Sequence, residues 1–234
     1  PSPLPPVMPT AVITGAAGAI GSVTAEVFAD ADWDLALIDI GDENCAFLEA
    51  SFPEAQVVDT DLTDEDASRE AFAEIAAEAE TLDAVLAIAG GFAMQPATEA
   101  TADDYQHMMG LNVRTLFHTA RAAVPVLTRA DHSVLLGVSA PAALDGQAQA
   151  ALYGASKAAV ASYLKSLGKE EREAGLRTTV LYPMGVVDTP DNRAAMPDAD
   201  PAGWVAPRQL AEHMLHAATR SPRGHVPELK VHAT

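Results

Sequence analysis

One residue of the 234 is a cysteine, Cys45. A single thiol closes no internal disulfide and builds no zinc site from thiolates alone, and a cytoplasmic location suits such a chain. Basic residues are scarce as well. Fourteen Lys and Arg stand against 33 Asp and Glu, for a formal net charge of −19. That balance argues against nucleic acid and anionic membrane as partners. The acids are spread along the chain, which reads as an acidic solvated surface, and a saline environment is one reason for it. No apolar run reaches the roughly 18–20 residues that cross a bilayer. Residues 1–9 hold five prolines and neither a basic nor an apolar stretch. They read as an extended lead-in, not as a signal peptide.

What is present is a core-forming composition, 49% hydrophobic. Short, nearly continuous apolar runs lie at 11–14, 35–40, 56–58, 84–89, 134–138, 178–181 and, weakly, 228–231. Runs of that kind are strands covered on both faces. Helical patterns separate them at about 19–31, 64–80, 101–129, 151–174 and 206–220. Alternation of strand and helix predicts one doubly wound α/β domain over 10–234, with a parallel sheet of about seven strands. The segment 184–204 is long for a strand-to-helix connection and reads as a substrate loop.

The sequence TGAAGAIG, 14–21, follows the first predicted strand and opens a helix. Gly15, Gly18 and Gly21 are spaced to tighten a turn and admit a pyrophosphate to the backbone at a helix N-terminus. Asp39 ends the second strand, 18 residues beyond Gly21. A carboxylate there accepts bonds from ribose hydroxyls and repels a 2′-phosphate. No Arg or Lys occurs before residue 69, so NAD is favoured over NADP. Asp61 and Leu62, after the third strand, either face an adenine edge or form a turn.

Tyr153 and Lys157 are four apart on a predicted helix and share a face. An ammonium beside a phenol lowers the phenol's pKa, so that Tyr153 could pass a proton to or from an oxygen. With the glycine loop upstream, the chain resembles the short-chain dehydrogenase/reductase family. The resemblance rests on TGAAGAIG, Asp39, Asp61-Leu62, AIAGG at 87–91, LNVRTLF at 111–117, YGASK at 153–157 and YPMGVVDTP at 182–190. It implies a Rossmann fold and hydride transfer to or from nicotinamide. It also implies Asn112 as the residue that kinks its helix and holds a relay water, Tyr153 as acid/base, and Lys157 as a grip on the nicotinamide ribose. Cofactor contacts would come from Gly15, Ala17, Gly18, Ala19, Ile20 and Gly21, then Ala89, Gly90 and Gly91, and later Pro183, Val186 and Thr189. A homodimer or homotetramer is expected on the same ground.

The family's serine, counted from the Tyr and from the Asn, falls on Ala140 and not on Ser139. A slip of one residue on a strand turns a side chain to the opposite face. The family's Asn-Asn-Ala-Gly is Ala87-Ile88-Ala89-Gly90 here. Dihydropteridine reductases carry a small residue at the serine position, and AGGF, AALDG and the 188–200 stretch resemble them. The leading expectation is an NAD(H)-dependent oxidoreductase acting on a carbonyl, quinonoid or pterin-like substrate. Two alternatives stand beside it: a non-catalytic dinucleotide sensor, and an alcohol dehydrogenase that uses Ser139. No metal site is expected, since His213 and His216 lack companions. Met196 and Trp204 lie where a substrate would be covered.

Overall fold

The computed structural model describes residues 8–79 and 81–233. Most of the lead-in assigned to 1–9 lies outside them. Seven strands form one sheet in the order β3-β2-β1-β4-β5-β6-β7: β1 Thr10–Thr14, β2 Asp34–Asp39, β3 Gln56–Asp59, β4 Ala84–Ala87, β5 Ser133–Val138, β6 Leu176–Pro183 and β7 Glu228–Val231. Every pairing is parallel. The order reverses between β1 and β4. There the chain ends of two neighbouring strands diverge and leave a crevice, the place where an open α/β sheet takes ligands.

Each strand feeds two cores because successive side chains leave opposite faces. The row Ala36, Val12, Val85, Leu135 packs under one helix layer. The next row, Leu37, Ile13, Leu86, Leu136, packs under the other. The first layer is α3 Glu65–Glu78, α5 Thr115–Leu127 and α7 Ala151–Glu170. The second is α1 Gly21–Ala29, α2 Asp42–Ser51 and α9 Pro207–Ala218. In that second core Phe28 and Trp33 meet edge to face at 5.1 Å. Among the described residues, no helix is long and apolar enough to cross a membrane.

Several boundaries differ from the sequence expectation. The fourth strand stops at Ala87, not 89, because the chain turns off the sheet at Ile88 to line the crevice. The single helix expected over 101–129 is two, α4 Ala102–Met109 and α5, joined by a wide π-turn at Gly110–Arg114. The helix expected to 174 stops at Glu170 and is followed by a single 3-10 turn. α2 was not expected at all, and neither were the short α6 Ala142–Asp145 and α8 Pro190–Ala195. α8 sits inside the segment 184–204, which a bridge between Val187 and Val205 clasps near its two ends.

Candidate active site

The β1–α1 turn is built by glycine where no other residue fits. Gly15 has φ +66°, and a Cβ on it would come within 2.9 Å of the Ala89 Cα. The Ala89 N–H donates to Thr14 Oγ1 at 3.2 Å, so the β1 and β4 ends are stitched where the sheet order reverses. α1 begins without a side-chain cap and without an acid in its first turn, although Asp64, Thr101 and Thr189 cap α3, α4 and α8. The positive end of the α1 dipole therefore faces the crevice with no acid in its own first turn to offset it.

The crevice has a volume of about 500 Å³. Of the expected cofactor contacts, Gly15, Ala17, Gly18, Ala19, Ile20, Gly21, Asp39, Asp61, Leu62, Ala89, Gly90 and Thr189 line it. Gly91, Tyr153, Lys157, Pro183 and Val186 do not belong to that lining. Pro183 is buried at the end of β6, and Val186 is exposed just beyond it. Sequence reasoning missed Asn44, Thr60, Ile88, Leu111, Thr115 and Asp191, which also line it.

Asp39 is held tightly at the far end. Its Oδ2 accepts from the Ala17 N–H at 2.8 Å, and its Oδ1 accepts from the Ile40 N–H at 2.8 Å and from Asn44 Nδ2 at 2.9 Å. A carboxylate offers roughly four acceptor sites, so about one stays open to a ligand. Asp61 is occupied differently. Its Oδ1 accepts from both the N–H and the hydroxyl of Thr63, the turn role that its sequence position allowed.

At the near end, three consecutive residues gather three of the four groups singled out for catalysis, all but Ser139. A Cβ on Gly90 would stand 2.6 Å from Asn112 Oδ1 and 3.2 Å from Lys157 Nζ, so only a glycine lets both approach. The Gly91 N–H donates to Asn112 Oδ1, and Asn112 Nδ2 donates to the Gly91 carbonyl, each at 3.0 Å. Phe92 meets the Tyr153 ring edge to face at 4.8 Å. Asn112 sits in the π-turn and reaches Ser156 Oγ on α7 at 3.1 Å, which ties the two helices together. Such wide turns recur at functional sites because they re-aim one side chain.

The electrostatics correct one expectation. Burial pushes the Tyr153 phenol up to about 12 and the Lys157 ammonium down to about 8. The phenol is therefore not lowered by its neighbour. The reason is geometric: Lys157 Nζ donates to the Val138 carbonyl at 3.0 Å and turns toward Gly90, while desolvation acts on both groups. Ser139 is also placed by this contact region. The residue is 1% exposed, and its hydroxyl donates to the Lys157 main-chain carbonyl at 2.8 Å. Its proton is thus engaged within the chain. Met196 and Trp204 are both half-buried at the two ends of the loop's second half.

Comparison with known proteins agrees with this frame. The family model for short chain dehydrogenase matches residues 9–200. A 2-dehydro-3-deoxy-L-rhamnonate dehydrogenase (NAD(+)) of a Sphingomonas strain is 30% identical over 175 residues, 74% of this chain and 70% of that one. Among solved structures, the alcohol dehydrogenase of Thermococcus sibiricus complexed with 5-hydroxy-NADP superposes with a TM-score of 0.85 at 21% identity, covering 97% of each chain. A 3-ketoacyl-(acyl-carrier-protein) reductase of Brucella melitensis complexed with NADH gives 0.84 at 23%, covering 96% of this chain and 97% of that one. A parallel seven-stranded sheet, a glycine turn at its reversal point and a match along most of the length lead to one assignment: the chain belongs to the short-chain dehydrogenases, oxidoreductases built on a nucleotide-binding Rossmann domain.

Proposed function

We propose that this oxidoreductase uses NAD(H) to reduce a carbonyl or quinonoid substrate, with Tyr153 as the proton donor. The observation that carries the reading is the convergence of Asn112, Lys157 and Tyr153 on Gly90, Gly91 and Phe92, beside a crevice lined by the Gly15 turn. The dinucleotide, when bound, supplies the hydride. The chain's residues do the rest. The α1 N-terminus and the Gly15 turn receive the phosphates. Asp39 receives a ribose hydroxyl on its open acceptor site and repels a 2′-phosphate, which favours NAD. The Sphingomonas relative, named as an NAD(+) enzyme, supports the same choice.

The state of the phenol suits the reductive half of the chemistry. A hydroxyl held near 12 keeps its proton throughout the neutral range, so Tyr153 is suited to donate and poorly suited to abstract. Lys157, still largely charged at pH 7 and turned toward Gly90, would hold a ribose hydroxyl of the bound dinucleotide. Asn112 fixes the Gly91 peptide and, through Ser156, the start of α7. Ser139 takes no part, so the substrate must be one that accepts hydride without a second hydroxyl donor, as an activated or quinonoid ring does. A cytoplasmic homodimer or homotetramer is the proposed working form. It would pair through the face where Phe117 of α5 and Tyr163 of α7 lie edge to face.

Tyr153→Phe tests the reading. Reduction of a ketone and quinone panel by NADH should fall at least a hundredfold, with NADH affinity within about twofold of the wild type. Undiminished turnover would remove Tyr153 from the chemistry. Binding of NADH with no oxidation by any member of the panel would instead favour a sensor.

A further inference from the structure

The segment after β4 turns its polarity inside out. Gln95 is half-buried, its N–H on the Gln149 carbonyl at 2.7 Å. Phe92 and Met94 face solvent, 58% and 46% exposed. A surface loop has no local reason to hide its amide and present its apolar groups. Phe92 stands edge to face with Tyr153. Leu144 on α6, beyond β5, and Val186, beyond β6, are likewise exposed. Strands β4, β5 and β6 are neighbours, so these connections leave one sheet edge side by side. α6 in turn packs on α7 next to Tyr153, since a Cβ on Gly154 would lie 2.8 Å from the Ala142 carbonyl.

Charge is distributed to match. Residues 88–100, 139–150 and 184–206 carry Glu99, Asp145 and four aspartates against a single cation, Arg193. Arg193 is already held by Asp188 through two bonds of 2.5 and 2.7 Å. A carboxylate or phosphate on the substrate would enter an acidic field with no uncommitted cation on these loops to receive it.

We infer that Phe92, with Met94, Leu144 and Val186, forms an apolar collar at the Tyr153 phenol that selects an uncharged, ring-bearing carbonyl or quinone. The exposed apolar surface of the collar finds its cover in the substrate, whose ring replaces water against Phe92 and whose oxygen meets the phenol. Phe92 is thus a specificity-determining residue. The inference rests on Tyr153 being the proton donor, and deepens that reading by naming what the donor serves.

The test uses activated ring ketones that differ in charge: isatin-5-carboxylic acid and its methyl ester, with 2,3-butanedione as an activated open-chain control. NADH oxidation is followed with the wild type and with Phe92→Ser, Phe92→Leu and Tyr153→Phe. The wild type should prefer the ester to the acid at least tenfold in kcat/KM. Phe92→Ser should lose about tenfold more on the ester than on 2,3-butanedione, mostly through KM. Phe92→Leu, which restores apolar area, should recover most of that loss, which a folding defect would not. Equal or better use of the acid, or an equal loss on ring and chain, overturns the collar. If Tyr153→Phe reduces the ester as fast as the wild type, the proton-donor assignment has failed and the collar loses its object. If that variant is inactive while the acid is preferred, only the collar has failed.

Discussion

The Ser139 hydroxyl ends on the main-chain carbonyl of Lys157, 2.8 Å away and one helical turn beyond Tyr153. The bond anchors β5 to α7 and leaves the hydroxyl nothing to donate to a substrate. Ser139→Ala should therefore change kcat by no more than about threefold. It should cost about 1 kcal/mol of stability, the net worth of one buried hydrogen bond. In a chain of this size that is a fall in Tm of about 2–4 °C. Ala140→Ser should do the opposite to catalysis, raising the rate on unactivated ketones. A collapse of kcat in Ser139→Ala, measured with protein that stays folded, would restore the serine-assisted alternative.

The pH dependence of reduction follows from the two shifted groups. Tyr153, pushed up to about 12, stays protonated across the usual assay range. Lys157, pushed down to about 8, loses its charge as pH rises through that value. The kcat/KM for ketone reduction should be level from about pH 6 to 7.5 and then decline, by at most about tenfold per pH unit. A profile that climbs steadily to pH 10 would contradict the assigned roles.

Lys157 is a buried ammonium whose Nζ donates to one carbonyl, that of Val138. Its folded pKa lies below its unfolded one, so the fold penalises the charged form. The penalty is fully present below about pH 8 and is relieved as pH rises from there toward the unfolded value near 10.4. Lys157→Met removes the charge and keeps the volume. At pH 7 it should be more stable than the wild type by about 1–3 kcal/mol, and it should be inactive. Tm measured at pH 7 and again at pH 9.5 should show the gap closing at the higher pH.

The proposed preference for NAD is tested at Asp39 and its neighbour. Asp39→Ser should raise KM for NADH about tenfold and bring the NADH and NADPH efficiencies close together. Adding Ile40→Arg, at an exposed position lining the same crevice, should shift the preference to NADPH. Asn44→Ala frees one carboxylate oxygen and should alter KM for NADH by less than threefold. Steady-state kinetics with both dinucleotides checks all three. An unchanged ratio in Asp39→Ser would place discrimination elsewhere.

The sheet was legible because its strands are covered on both faces and read as unbroken apolar runs. α2 was not, since DENCAFLEAS buries only Leu48 and presents no apolar stripe. Asn44 was lost with it, five residues from an Asp39 that spacing did identify. The break in the helix over 101–129 carries no residue signature beyond Gly110, and only the resemblance suggested that Asn112 bends it. The phenol's pKa was misread for a different reason. Helical spacing speaks of a neighbour four residues away, whereas Lys157 donates its hydrogen bond to Val138, 19 residues earlier, and burial comes from the whole packed fold. Phe92 drew no attention because a lone aromatic after a strand is ordinary until its exposure and its contact with Tyr153 are seen together.

The wide turn at Gly110–Arg114 carries one last implication, for how this protein can change over evolutionary time. An α-helix advances about 100° per residue, so a π-turn sets everything after it out of phase with everything before. Leu116, Ala120, Ala123 and Leu127 reach the sheet only in that shifted phase. Deleting any one residue of the turn would give a more regular helix and swing this apolar stripe off the core. Asn112 can be lost by substitution, but the irregularity that presents it cannot be trimmed away without unseating α5.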